Sequence, residues 1–309
     1  MIYQDFQELK EKVLSSSKSI YCAVVFPHDE YTMDAVLKAE HDGLIHPIFI
    51  GDEKIIQSLF RKRKIEATEY PVYNVPYEDS AIALAIDMVH GEDAECILKG
   101  NITTQTFMRE LLRRENKFNE GNIVSLLSFH MLENYHKIVA FTDTGICPHP
   151  NLKQKTLILE NAVNFLHTIG INKPKVAILS PSDAADATLP ESIDAAAISN
   201  MNEDGSIGGC TICGPISFDA ALSKEAATRK NYLSPVAGDA DLLVFPSLSS
   251  ASFTSKAITL VTKQSPGTIM LGTKVPVILS SRASSAETKY LGICLVIASM
   301  LSSAEEDNN

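Results

Sequence analysis

The sequence predicts an α/β protein: two α/β/α domains, each built on a mainly parallel sheet, with an interdomain cleft. Three observations lead there. Short continuous apolar runs alternate with amphipathic helical stretches almost throughout, the signature of right-handed βαβ units. The pattern restarts after a long helical segment in mid-chain. The 309 residues also exceed one ordinary domain, at roughly 150 residues each.

Taken in order, Ile20 to Phe26 is a continuous apolar run and reads as the first buried strand. An amphipathic helix follows from about Thr32 to Asp42 and stops at Gly43, a residue suited to the turn after a helix. His46 to Ile50 makes the next strand and Glu53 to Arg63 the next helix. The basic run Arg61-Lys62-Arg63-Lys64 suits that helix's C-terminal dipole better than nucleic acid. Cys96-Ile97-Leu98 and Lys137 to Phe141 are two more strands, with a helix from about Thr104 to Arg114 between them. After a helix from Lys153 to Ile169 come strands at Lys175 to Leu179, Asp241 to Phe245, Thr268 to Leu271 and Val275 to Leu279. The last helix, Glu287 to Leu301, is apolar on most sides, and a polar tail runs from Ser302 to Asn309. Thr142-Asp143-Thr144-Gly145 and Pro148-His149-Pro150 break the pattern. The domain change is therefore placed there, with residues 1–143 plus 287–309 in one domain and 144–286 in the other.

Composition narrows the functions. Apolar residues at 45% and charged residues at 21% are ordinary for a globular chain and exclude a disordered one. The net charge is 27 − 38 = −11, so nucleic acid and anionic membrane surfaces are not expected partners. An anionic substrate would need a few placed Arg or Lys residues. No apolar run reaches the roughly 18 residues of a membrane span, and Met1-Ile2-Tyr3-Gln4-Asp5 lacks the basic start of an export signal. With six scattered cysteines, the expected location is the reducing cytoplasm. Cys210-Thr211-Ile212-Cys213 has no second ligand pair, so it reads as two half-buried thiols rather than zinc ligands, and no metal is expected. The phosphate-loop and dinucleotide fingerprints are both absent.

Two strand-to-helix loops carry suggestive chemistry, because open parallel sheets bind ligands beyond the carboxyl ends of their strands. Pro246-Ser247-Leu248-Ser249-Ser250-Ala251-Ser252 leads into a helix expected near Phe253, with Lys256 in its first turns. Serine hydroxyls and amides there suit phosphate, and equally suit plain helix capping. The second loop, Ser280-Ser281-Arg282-Ala283-Ser284-Ser285, adds an arginine whose planar fork matches phosphate or carboxylate. Glu287 is a candidate ion-pair partner for Arg282 or a proton acceptor. Ser285 with Thr288 also fits a cap.

Ser281-Arg282-Ala283 followed by Ser285, Glu287, Thr288 and Lys289 resembles the C-terminal signature of phosphate acetyl/butyryltransferases, especially the butyryl branch. The likeness extends through Val236-Ala237-Gly238-Asp239-Ala240-Asp241, Gly214-Pro215 with Asp219 and Ser223, and Asp143 with Pro150 and Lys155. Asn161-Ala162-Val163, Lys99-Gly100 with Thr104, and His28-Asp29-Glu30 continue it. The resemblance implies reversible transfer of a short acyl group between coenzyme A and inorganic phosphate. Coenzyme A is then a substrate rather than a cofactor, acyl-CoA and phosphate are the partners, and a homodimer is expected. The apolar last helix, which needs covering on more than one side, adds to that expectation.

Against that reaction Arg282 is the expected phosphate clamp, Ser281 a donor to the developing oxyanion or leaving sulfur, and Glu287 a proton acceptor or an orienter of Arg282. Lys256, Ser252, Thr104, Lys99 and Asp219 are the expected substrate contacts. The chain departs from the family pattern at Ala251-Ser252, Asn119, Ser125-Leu126 and Ser284. These departures motivate an alternative, a non-catalytic acyl-CoA or acyl-phosphate sensor on the same fold.

Overall fold

The computed structural model describes residues 3–66, 68–113, 116–119 and 122–306. The expected helix end at Arg114, the start Met1-Ile2 and the last three residues of the tail lie outside the described residues. In chain order the first elements are α1 (Phe6–Leu14), β1 (Ile20–Val25), α2 (Glu30–His41), β2 (Ile45–Gly51), α3 (Glu53–Lys62) and β3 (Val72–Asn74). Next come α4 (Glu78–His90), β4 (Cys96–Lys99), α5 (Thr104–Leu111), β5 (Ser125–His130), β6 (Val139–Thr142), α6 (Leu152–Thr168) and β7 (Lys175–Leu179). Then follow α7 (Pro190–Glu203), β8 (Thr211–Ile216), α8 (Phe218–Leu222), α9 (Lys224–Arg229) and β9 (Leu242–Val244). The last are α10 (Leu248–Thr262), β10 (Gly267–Leu271), β11 (Val277–Ile278) and α11 (Ala286–Glu306).

The chain divides into two compact units: an N-terminal unit of Leu9–Asn122 and Gly267–Leu301, and a central unit of Ile123–Pro266 with short segments from both termini. These bounds differ from those expected at 143/144 and 286/287. Strand pairing explains the difference. Thr142 of β6 lies beside Val244 of β9, and Ile278 of β11 lies beside Leu98 of β4, so ladder bonds outweigh the Pro and Gly punctuation of the sequence.

In the N-terminal unit the strand order is β3-β2-β1-β4-β11-β10. All neighbours are parallel except β10 and β11. Side chains at the ends of loops start the helices: Asp29 accepts from the Thr32 amide, Asp52 from Lys54 and Ile55, and Thr103 from Thr106. α11 lies close on the sheet because Gly292 has no side chain. A Cβ there would sit 2.9 Å from the Thr268 carbonyl oxygen and 2.7 Å from the Ile278 side chain. Every residue from Thr288 to Ala298 is buried. The apolar helix is thus covered within its own chain, and its composition is no argument for a second copy.

The central unit has the order β5-β6-β9-β7-β8, parallel except for β5 against β6. Its core gathers Phe141, Leu179, Ile216, Leu243 and Phe245, with the Phe141 and Phe245 rings 5.2 Å apart. α6 starts with a reciprocal capping box of Asn151 and Gln154. α10 starts at Leu248, five residues before the expected Phe253, because Ser247 and Ser250 form a second capping box. Of its residues only Ala251 is buried, and Phe253, Leu260 and Val261 are 72%, 80% and 80% exposed.

A buried ion network ties the amino ends of three strands together. Lys137 Nζ meets Asp241 Oδ1 at 2.6 Å and the Asp239 carbonyl at 2.9 Å. Asp241 Oδ2 accepts the Lys175 amide at 2.7 Å, and the Lys175 ammonium pairs with Asp239. Both Lys137 and Asp241 are only 3% exposed. Removing one member strands the other, so Lys137→Met is expected to lower stability by about 3 kcal/mol or more in urea unfolding. A loss below about 1 kcal/mol would mean the network is solvated.

Candidate functional site

Three loops leave the carboxyl edge of the N-terminal unit side by side. The register places Lys99, the last residue of β4, beside Val25 of β1. Ile278 of β11 lies beside Leu98, so the segment starting at Ser280 emerges next to Lys99. Gly100 makes the first junction. Its amide donates to the Val25 carbonyl at 2.8 Å, and a Cβ would sit 2.2 Å from the Phe26 carbonyl oxygen, so only glycine fits. The Asn101 amide donates to the Phe26 carbonyl at 2.8 Å. On the loop after β1, His28 Nε2 accepts the Asp52 amide at 3.0 Å. That bond requires a neutral ring nitrogen, and burial lowers the imidazole pKa, with Asp52 and Asp29 opposing. His28 is therefore committed to holding its own loop.

Beneath these loops lie two buried lysines. Lys99, fully buried, gives its ammonium to the carbonyls of Ile102 at 2.9 Å and Gly100 at 3.2 Å. Lys289, near the start of α11 and 1% exposed, donates to Ser280 Oγ at 2.8 Å. Among the described residues no carboxylate forms an ion pair with either. Burial, then the like charges of Lys289 and Arg282, bring the Lys99 pKa down to about 7, while Asp29 and Glu78 pull the other way. Lys289 is also lowered by burial, with Asp29 opposing. The expected contact Lys99 thus underlies the loops instead of lining them.

The Ser281-Arg282 segment is a tight turn. The Ser284 amide donates to the Ser281 carbonyl at 3.0 Å, and the Ala283 amide to Ser281 Oγ at 3.3 Å. Ser285 Oγ accepts the Thr288 amide at 3.1 Å and starts α11. Arg282 is exposed, and its guanidinium makes no hydrogen bond or ion pair with the described residues. Glu287 is paired with Lys10 at 2.5 Å, so it does not hold Arg282. This corrects the expected Arg282–Glu287 pair: α1 supplies a closer cation. Thr104 is the half-buried first residue of α5, next to the capping Thr103.

The remaining expected contacts belong to the central unit. Lys256 is the ninth residue of α10 and exposed, so the early start of that helix removes it from the first turns. Ser252, half-buried, is past the N-terminal turn as well. Two of the four serine hydroxyls of this loop are spent on capping: Ser247 and Ser250 satisfy each other's amides. Asp219 accepts from Lys230 at 2.8 Å, a bond that with one from Ser217 lowers its pKa. It borders a pocket of about 690 Å³ with Phe218, Leu132, Tyr135 and Val261. Cys210 and Cys213 are both buried, where half-burial was expected, and Cys213 Sγ lies 3.1 Å from the Tyr232 hydroxyl.

At the carboxyl end of β6, Asp143 organises a loop that sequence reasoning left without a role. Its carboxylate, 4% exposed, accepts the amides of Leu126, Gly145, Ile146 and Cys147. Burial raises its pKa, with those amides opposing. Ser128 and Thr144 share a 2.6 Å hydroxyl contact beside it.

A family model described as phosphate acetyl/butaryl transferase matches residues 53–297. The chain belongs to this family. It is similar to the phosphate butyryltransferase of Clostridium acetobutylicum, 34% identical over 292 residues, covering 94% of this chain and 97% of the relative. The phosphate acetyltransferase of Thermotoga maritima is 30% identical over 289 residues, again covering 94% of this chain and 97% of the relative. Among solved structures, a branched-chain phosphotransacylase from Enterococcus faecalis matches with a TM-score of 0.80 at 26% identity. That match covers 91% of this chain and 99% of the other.

The departures from the family pattern have local accommodations. Ala251 is the one buried residue of α10, Asn119 Nδ2 donates to the Asn122 carbonyl at 2.9 Å, and Ser284 closes the Ser281 turn. Leu126 packs where Gly145 leaves room; a Cβ there would lie 2.4 Å from Leu126 Cδ2. Because Arg282 has no partner to lose, Arg282→Ala should change unfolding stability by less than about 0.5 kcal/mol. Glu287→Gln, which severs a part-exposed pair with Lys10, should cost no more than about 1 kcal/mol. Thermal melts of the two variants check both values, and a large loss at Arg282 would make it a structural residue.

Proposed function

We propose that the protein transfers a short acyl group reversibly between coenzyme A and inorganic phosphate, with Arg282 as the phosphate clamp. The observation that carries this reading is an exposed Arg282 without a hydrogen bond or ion pair among the described residues, above two buried lysines that form no ion pair with a described carboxylate. Buried cations are ordinarily paired, so this arrangement favours an incoming anion. A phosphate oxygen attacks the thioester carbonyl carbon, and the C–S bond breaks. The phosphate proton ends on the departing sulfur, giving acyl phosphate and free coenzyme A. Arg282 offers a bidentate grip on phosphate and offsets the charge that builds in the transition state, and the Ser281 hydroxyl serves the oxyanion or the sulfur. Glu287, held by Lys10, is less suited to take the proton than a reading from sequence alone implies. The relatives' names and the retained Ser281-Arg282 favour an enzyme over a non-catalytic sensor. No bound cofactor or metal enters the reaction as proposed.

Release of free thiol from acetyl- through valeryl-CoA, with and without phosphate, tests the activity. Phosphate-dependent release is expected, and none with any member of the series would contradict it. Arg282→Lys keeps the charge and loses the fork, so it should raise the phosphate KM and lower turnover while acyl-CoA binding changes less. Arg282→Ala should cost roughly 3 kcal/mol in kcat/KM for phosphate.

A homodimer in the cytoplasm is part of the same reading. No helix of the described residues is long and apolar enough to cross a membrane. The exposed apolar residues Phe253, Leu260 and Val261 of α10 support a second copy at that helix, where α11 offers none. Light scattering should give a dimer mass for the native chain and a monomer mass for a Leu260→Lys, Val261→Lys double variant.

A further inference from the structure

We propose that Lys99 and Lys289 form a buried cationic floor for a divalent oxyanion, the phosphate of the acyl-transfer reaction, held at the Ser280-Arg282 loop. The inference deepens the reading of that site and rests on it. Its basis is the cluster itself. Lys99 comes from the end of β4 and Lys289 from α11, and neither side chain reaches solvent. Both ammonium groups point at loop atoms, Gly100 and Ile102 carbonyls in one case and the Ser280 hydroxyl in the other. Ser280, 5% exposed, immediately precedes Ser281-Arg282. The lysines therefore act as positioning residues through the loops, and Arg282 with Ser281 makes the direct contacts.

Arg282 from the loop after β11 adds a third positive charge, and Asp29 and Glu78 are the negative ones. Asp29 is occupied, accepting the Thr32 amide at 2.8 Å and the Thr32 hydroxyl at 2.6 Å. Three cations sharing one edge without an acid partner favour loss of a proton, and Lys99 is the group poised to lose it near neutrality. A dianion at the loop reverses that balance. Binding then draws a proton onto Lys99, so affinity is greatest below the free Lys99 pKa and falls as pH rises through and above it.

The probe is sulfate, a dianion across the working range, because phosphate itself titrates there. Calorimetry of sulfate binding to the native chain between pH 6 and 9, in buffers of different ionisation enthalpy, should show net proton uptake. Affinity should weaken by up to about tenfold per pH unit above neutrality, as linkage of one proton dictates. Lys289→Met removes a like charge and should shift the fall to higher pH. Lys99→Arg, if it folds, should bind sulfate with a flattened pH profile. Coenzyme A at saturation should leave the uptake in place; its loss would assign the seat to a phosphate of coenzyme A and overturn the proposal. Binding independent of pH, or an unmoved profile in Lys289→Met, would overturn it too. Because no turnover is read, an inactive enzyme with proton-linked sulfate binding would contradict the acyltransferase reading and leave the lysine-backed oxyanion seat standing, stripped of its assignment to the phosphate of that reaction.

Discussion

Two ammonium groups buried at one sheet edge, with no ion pair to a carboxylate among the described residues, set the terms for the rest of this site. Taking a charge of that size out of water costs several kcal/mol even after relaxation. The chain offsets this with carbonyls and a hydroxyl: Gly100 and Ile102 for Lys99, and Ser280 for Lys289. Those acceptors exist only because β4 lies between β1 and β11 in one register, and because Gly100 allows the backbone to press against Phe26. The geometry that houses the cations is the same geometry that presents Ser281 and Arg282.

The two serine-rich loops show how similar sequences diverge in physical role. After β9, Ser247 and Ser250 turn inward and satisfy each other at the start of α10, so their hydrogen-bonding capacity is consumed by the fold. After β11, Ser285 takes over the capping duty, and the residues before it remain a turn with an unengaged arginine. Helix capping and anion binding draw on the same donors. Which one a serine loop performs depends on where the cap falls.

Much of the fold was legible in the sequence because buried parallel strands are continuous apolar runs. β1, β2, β4, β6, β7 and β9 lie where those runs lie. β5 was missed because its buried side chains include Ser125, Ser128 and His130, which carry no apolar signal. Lys289 entered the sequence reading as part of the C-terminal signature, with no role of its own. Its spacing to Gly292, Ile293 and Val296 is that of the buried helix face, and that spacing was the available clue. Arg282 was singled out by its place in a strand-to-helix loop, and Ser281 by the motif. The pairing of Glu287 with Lys10 was not legible, since 277 residues separate the two in sequence.

The central claim is that Lys99 sits among uncompensated cations and answers to an anion at the loop above it. An NMR titration of the lysine side chains, with Lys99 assigned by comparison with Lys99→Arg, reads this at the atom concerned. The account predicts one lysine titrating near its expected value of about 7, moving to higher pH when sulfate is added. If every lysine titrates in the ordinary range near 10 and none responds to sulfate, the account is contradicted.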